Sequence, residues 1–201
     1  MADNSWVGFW NSDHSIYVSA RHLDRHYRDV ADHILALKPE RTANVLDFGC
    51  GEATHADSVA AVVGRLFLCE AAARVRDNLR ARFAGVGNLN VIAPEQLDEI
   101  ADGSLDLIVA NSVAQYLTPD ELDGWLRTWR RKLTPTGRLV LADIVPPGVS
   151  PLSDAFALLR YAARHGFLIA AFAGLVRTAL SPYRKVRASL GPITVIHWNA
   201  Y

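Results

Sequence analysis

Cysteine, methionine and net charge are scarce in this chain. Two cysteines, Cys50 and Cys69, and one methionine occur in 201 residues. Two thiols cannot build a disulfide framework. One sits inside a glycine-rich segment and the other ends an apolar run, so a reducing cytoplasm is the expected setting. No Cys/His spacing of the metal-ligating kind is present, and no metal is expected. Lys+Arg and Asp+Glu number 21 each, for a formal net charge of zero, so the chain lacks the overall basic footprint of a nucleic-acid binder. Long apolar runs are missing too. The uncharged stretch 166–176 is eleven residues, too short to span a bilayer. The N-terminus has no basic region followed by an apolar core, so no signal peptide is expected.

What remains is an ordinary globular composition, half hydrophobic and 21% charged, with length enough for one domain and a substantial core. The charge is unevenly spread. Residues 151–201 carry six Lys/Arg against one Asp, on an acidic body.

Along the chain, residues 1–18 are aromatic and irregular (Trp6, Phe9, Trp10, Tyr17). Leu23, Tyr27, Val30, Ile34 and Leu37 recur near helical spacing and predict an amphipathic helix over 19–37, stopped by Lys38-Pro39. Strands and helices then alternate: strand 44–48, helix 53–63, strand 65–69, helix 71–84, strands 89–92 and 105–110, helix 119–133, strand 137–145. Apolar runs such as 105–110 and 138–142 suit strands covered on both faces. The alternation predicts an α/β fold with a doubly wound, mostly parallel Rossmann-like sheet. Pro146-Pro147-Gly148 marks a break. Residues 152–180 follow as a helical region interrupted near Gly166 and stopped by Ser181-Pro182, and Val195–Trp198 predicts one short strand. The chain thus divides into an N-terminal lid (1–37), a core (38–145) and a helical cover with a short tail (146–201).

The most informative stretch is Val45-Leu46-Asp47-Phe48-Gly49-Cys50-Gly51-Glu52-Ala53-Thr54, a strand, a glycine turn and a helix start. Gly49 and Gly51 allow positive φ and close backbone approach to a ligand, and a helix N-terminus favours polar or anionic groups. Asp47 would repel a pyrophosphate, so the expected ligand carries a cationic group there. Glu70 ends the second strand nineteen residues after Gly51, placed to accept both hydroxyls of a ribose.

This run resembles the first motif of class I S-adenosylmethionine-dependent methyltransferases, and the resemblance extends over residues 44–145. It implies the class I methyltransferase fold, with S-adenosyl-L-methionine as cofactor. Asp47 would then hold the cofactor's amino group, with Phe48, Gly49, Cys50 and Gly51 cradling its methionine end, and Glu70 with Ala71 would take the ribose. Glu95, Gln96 and Leu97 become adenine neighbours, although Ala93 stands where an Asp is frequent. Asn111 and Ser112 face the methionine moiety, and Gln115 and Tyr116 lie near the methyl group or substrate. The Asn-Pro-Pro-Tyr of the DNA- and protein-amide-methylating subgroups is absent. Leu133-Thr134-Pro135-Thr136-Gly137 resembles the family's turn into strand five.

The resemblance also implies an N-terminal helix closing over cofactor and substrate. Tyr17 and Tyr27 are the candidate lid residues, Tyr27 also meeting the cofactor and Tyr17 the substrate. His22, His26 and Tyr116 are the catalytic candidates, against the alternative that His22, His26 and His33 line an exposed helix face. His14 lies in the same segment, and His55 beside the glycine loop reads as structural. Segment 152–180, with Phe156, Leu159, Phe167, Phe172, Arg160, Arg164 and Arg177, is placed to cover a small, apolar or lipid-like acceptor, or to rest as a peripheral contact on an anionic membrane surface. The family's sheet finishes with two further strands, and only about twenty residues follow position 180. That C-terminal strand pair is therefore expected to be incomplete, and the open edge leaves room for a homodimer. Two other functions stay open: a noncatalytic binder of S-adenosylmethionine or S-adenosylhomocysteine, and an NAD(P)-dependent oxidoreductase. The second would want a third glycine where Thr54 stands.

Overall fold

The computed structural model describes residues 17–144 and 151–180, together with Gly8 and Asn11. Trp6, Phe9, Trp10, His14, the break at 146–148, the stop at 181–182 and the strand expected at 195–198 lie outside the described residues.

Five strands, β1 (Asn44–Phe48), β2 (Arg65–Cys69), β3 (Leu89–Ile92), β4 (Leu105–Asn111) and β5 (Leu133–Ala142), form one sheet in the order β3-β2-β1-β4-β5. Every pairing is parallel. The expected doubly wound parallel sheet is the sheet observed. β1 lies between β2 and β4, where the chain stops adding strands on one side and starts on the other. Ligands of such sheets sit in the crevice at that reversal, outside the carboxyl ends of the strands.

Helices cover both faces because the strands carry apolar side chains on both. α1 (Ala20–Ala36), α2 (Ala56–Ala60) and α3 (Ala73–Arg82) bring Ile34, Val59 and Leu79 against Val45, Leu66, Leu68, Leu107 and Val109. On the opposite face, α4 (Pro119–Lys132) and a 3-10 segment, Pro94–Glu99, pack Trp129 and Leu97 against Leu46, Phe48, Ile108 and Ala110. Burying side chains of this size stabilises by about 1.5–3 kcal/mol each. α5 (Pro151–His165) and α6 (Leu168–Leu180) form a hairpin through Gly166, at φ +77°.

Local chemistry sets the helix ends. Ser19 caps α1 by accepting the His22 N–H at 3.2 Å. Thr118 and Glu121 form a reciprocal cap on α4, behind Pro119 at its first position.

Three elements differ in extent from the sequence reading. The helix expected over 53–63 shrinks to α2, because the glycine loop extends through Ala53 at φ +36°, a conformation a right-handed helix cannot hold. α3 is trimmed to Ala73–Arg82. β5 begins at Leu133, which pairs with Leu105, but the next partners are Leu107 and Arg138. Pro135 sits in that irregular stretch, where no ladder donor is required. β5 ends at Ala142, because Asp143 turns out of the strand at φ +51°. Among the described residues no strand follows β5.

Candidate functional site

The carboxyl ends of the strands open into a cavity of roughly 530 Å³. Its floor is the loop that follows β1. Gly49 and Gly51 adopt φ of +71° and +56°, and a Cβ on either would overlap a neighbour, the Val113 side chain or the Tyr27 hydroxyl respectively. Glycine is therefore required at both positions by conformation and by space. The Gly49 and Cys50 N–H groups bond the Cys69 carbonyl at 2.8 and 3.2 Å. This ties the loop to the end of β2.

Glu70 completes the tie. One carboxylate oxygen accepts the Gly51 N–H at 3.0 Å and the other accepts the Ala72 N–H at 2.8 Å. Each oxygen keeps a second lone-pair site for a ligand hydroxyl. Burial raises the Glu70 carboxyl, and the backbone donors oppose that shift. The Arg76 guanidinium bonds the Glu70 and Ala71 carbonyls at 2.8 and 2.7 Å, fixing the turn from behind.

Asp47 has no such support. It is 5% exposed, and among the described residues no hydrogen bond reaches its carboxylate. Burial, with the nearby Glu70 charge adding to it, pushes its carboxyl up to about 7. A buried carboxylate without a partner is costly, and here it faces a cavity. Asp47, Glu70, Glu95, Glu121 and Asp143 all line that cavity, and among the described residues no Lys or Arg does. Such a lining attracts a cationic ligand and repels a pyrophosphate.

α1 forms the lid. The Tyr27 hydroxyl accepts the Glu52 N–H at 2.9 Å, holding helix to loop, and also hydrogen-bonds Tyr17. Tyr17 packs against His22, His26 and Tyr27, with ring centroids 5.3, 5.3 and 5.8 Å away. His22 Nδ1 accepts the Val18 N–H at 3.3 Å. Burial lowers both imidazoles: His26 adds to the effect at His22, while Asp143 and Asp29 oppose it at His26. Burial raises the Tyr17 and Tyr27 hydroxyls, so both stay protonated.

The far wall comes from the ends of β4 and β5. Ser112 sits at φ +55°. Its N–H bonds the Ala142 carbonyl at 2.9 Å and its hydroxyl bonds the Asp143 carboxylate. The Gln115 side-chain oxygen is buried without a hydrogen-bond partner among the described residues. Trp125 stacks obliquely on Phe48, with centroids 4.7 Å apart.

Asp47, Phe48, Gly49, Cys50, Gly51, Glu70, Ala71, Glu95, Asn111, Ser112, Gln115 and Tyr116 all line the cavity, as do the lid residues Tyr17, His22, His26 and Tyr27. Gln96 and Leu97 do not. The Gln96 side chain turns back to accept the Ala93 N–H at 3.0 Å. Leu97 is 1% exposed in the core beneath the sheet, because the 3-10 segment must bury its one large apolar side chain. His33 is exposed, whereas His22 and His26 are half-buried; the three do not share one solvent face. His55 bonds Asp24 at 2.7 Å outside the cavity.

Cys69, Pro94, Val113, Leu117, Glu121, Trp125 and Asp143 also line the cavity and escaped the sequence reading. Two signals could have found some of them. Leu117, Glu121 and Trp125 recur at four-residue spacing, and Asp143 stands just past a strand end. Both cysteine thiols are raised by burial, which favours the protonated thiol over the nucleophilic thiolate.

A family model described as a methyltransferase domain matches residues 46–139. No curated protein matches the chain. Among solved structures, the Haemonchus contortus phosphoethanolamine N-methyltransferase 1, in complex with phosphoethanolamine and S-adenosylhomocysteine, aligns with TM-score 0.58 and 21% identity, over 69% of this chain and 31% of its own. DhpI in its SAH complex aligns with TM-score 0.56 and 13% identity, over 71% and 69%. A SAM-dependent methyltransferase from Leishmania major gives 0.53 and 17%, over 69% and 59%. The chain thus spans about a third of the Haemonchus enzyme and under two thirds of the Leishmania one. These likenesses establish a shared fold, the class I methyltransferase fold.

Proposed function

We propose, from the match of residues 46–139 to a methyltransferase-domain family model and from the shared fold, that this protein binds S-adenosylmethionine and passes its methyl group to a small, apolar or lipid-like acceptor. The observation that carries the reading is Asp47, a buried carboxylate at the end of the central strand with no partner among the described residues. The cofactor's ammonium is the partner it lacks. When bound, the cofactor supplies an electrophilic methyl group for in-line displacement, with the sulfur as leaving group.

The protein's share is then to bind and to position. Asp47 pairs with the ammonium, the Gly49–Gly51 backbone admits the methionine end, and the free lone pairs of Glu70 take the ribose hydroxyls. Glu95, beside Pro94, stands at the adenine end. Tyr17, Gln115 and Tyr116 form the acceptor wall, and the unpartnered Gln115 oxygen suits a donor hydrogen on the acceptor. Where the acceptor must lose a proton, His26 is placed to take it, because burial lowers its imidazole and favours the neutral form. An anionic acceptor is disfavoured by five lining carboxylates and, among the described residues, no lining cation. The same lining argues against NAD(P), whose pyrophosphate would meet Asp47. Two free, buried cysteines suit a reducing cytoplasm.

Titration calorimetry with S-adenosylmethionine, S-adenosylhomocysteine and NAD(P) tests the reading. Binding of the two adenosyl ligands supports it, and binding of NAD(P) alone overturns it. A turnover assay across candidate acceptors separates an enzyme from a noncatalytic binder.

A further inference from the structure

Among the described residues, the exposed large hydrophobics are Leu152, Phe156, Leu168, Ile169, Phe172 and Val176. All six lie on α5 and α6. Leu152 and Phe156 are four residues apart, and Leu168, Ile169, Phe172 and Val176 recur at one, three and four, so each helix presents them on one side. Ile169 is 88% exposed and Leu152 83%. Apolar residues scattered singly need no explanation, but a set confined to one hairpin does.

The opposite side of the hairpin is already occupied. Phe167 stacks on His22 with centroids 5.0 Å apart, the Tyr161 hydroxyl bonds Asp29, and the Arg21 guanidinium bonds the Gly166 carbonyl at 3.0 Å. Gly174 lets α6 close on Val18; a Cβ there would meet Val18 Cγ1 at 2.5 Å. The hairpin is therefore held against α1, the lid helix, and its outer face has no protein to cover it among the described residues.

Charge indicates what would cover it. Arg160, Arg164 and Arg177 are exposed on the same two helices. The one acid there, Asp154, is part-buried and already engaged. Exposed arginines beside exposed leucine, isoleucine and phenylalanine match a surface that is anionic at its head and apolar just beneath. Among the described residues no helix is long and apolar enough to cross a membrane, so the helices would lie in the interface plane.

We infer that the outer face of the α5–α6 hairpin docks on an anionic lipid surface, with Leu152, Phe156, Ile169 and Phe172 entering the acyl boundary and Arg160, Arg164 and Arg177 at the headgroups. The inference rests on this surface and not on the methyl-transfer reading. It has a consequence for the site, since the hairpin grips the helix that carries His22, His26 and Tyr27. The docked protein would hold its lid next to the bilayer, where an apolar acceptor resides.

The test is co-sedimentation of the full chain with phosphatidylcholine vesicles, with and without phosphatidylserine, at low and high salt. Binding should require phosphatidylserine and weaken with salt. Replacing all three arginines (R160Q, R164Q, R177Q) should lower partitioning on the order of 100-fold. Phe172→Glu and Ile169→Glu should lower it roughly tenfold or more, with cofactor binding by calorimetry unchanged, which separates a failure to dock from a failure of the site or fold. No sedimentation with either vesicle overturns the inference. So does binding indifferent to these variants, or a dimer by light scattering that Ile169→Glu dissociates while vesicles are ignored.

Discussion

Replacing Asp47 with asparagine should stabilise the ligand-free protein and disable the site. A carboxyl that ionises near 3.9 in an unfolded chain does so at about 7 in the folded one. Between about pH 4 and 7 the folded protein therefore keeps a proton that the unfolded chain has released. Stability falls as pH rises through that window and stays low above it. At about 1.4 kcal/mol per pH unit, the loss is on the order of 4 kcal/mol. An amide at the same place carries no charge but still lacks a hydrogen-bond partner, so Asp47→Asn should recover about half, roughly 2 kcal/mol. In a domain of this size that raises Tm by about 4–8 °C at pH 8, with almost no difference at pH 4. Cofactor affinity should move the other way. Losing one partner of a buried ion pair costs about 3 kcal/mol or more, upwards of 100-fold in Kd. In the unsubstituted protein, binding should tighten about tenfold from pH 6 to 8, as the ionised fraction of Asp47 rises about tenfold, and the variant should be flat. Thermal melts and calorimetry across that range measure both. A variant that melts lower at pH 8, or binds S-adenosylmethionine as tightly as the parent, refutes the argument.

Glu70→Gln leaves one acceptor oxygen for the two N–H groups of Gly51 and Ala72; the lost bond should cost about 1–3 kcal/mol in stability and weaken cofactor binding, and an unchanged melt and Kd would count against the clamp. Gly51→Ala places a methyl on the Tyr27 hydroxyl at a positive φ, so a loss of about 1–3 kcal/mol is expected by chemical denaturation, and a neutral effect would contradict the tight fit of lid and loop. If His26 takes a proton from the acceptor, the acid limb of the kcat profile should lie below the ordinary imidazole range, since burial lowers it. In His26→Gln that limb should vanish and kcat fall by about 100-fold or more; an unmoved limb removes His26 from the reaction.

Much of the architecture was legible because parallel strands buried on both faces must be apolar along their whole length, and runs such as 105–110 leave few alternatives. The glycine motif was legible for a different reason: backbone at φ +71° and +56°, with a side chain where a Cβ would stand, strongly favours glycine. Helix lengths were read less well. The loop running on through Ala53 shortened α2, and nothing in the local composition announced a positive φ at an alanine. Leu97 looked like part of a ligand loop, and burial beneath the sheet took it away.

The amino-acid sequence by itself determined the order of elements, the parallel sheet, the glycine turn, and acids at the ends of the first two strands. These follow from periodicity and backbone conformation, which act over a few residues. Tertiary structure alone decided which distant residues meet. Asp143, Trp125 and Glu121 join the cavity only because β5 ends beside β4 and the first half of α4 packs over the carboxyl end of β1. His22 and His26 are half-buried only because Tyr17 and, for His22, Tyr161 and Phe167 pack on α1. The exposed side of α5 and α6 is defined only once their other side has packed on α1. Proximity between residues a hundred positions apart is set by how the layers stack, and neither spacing nor propensity records it.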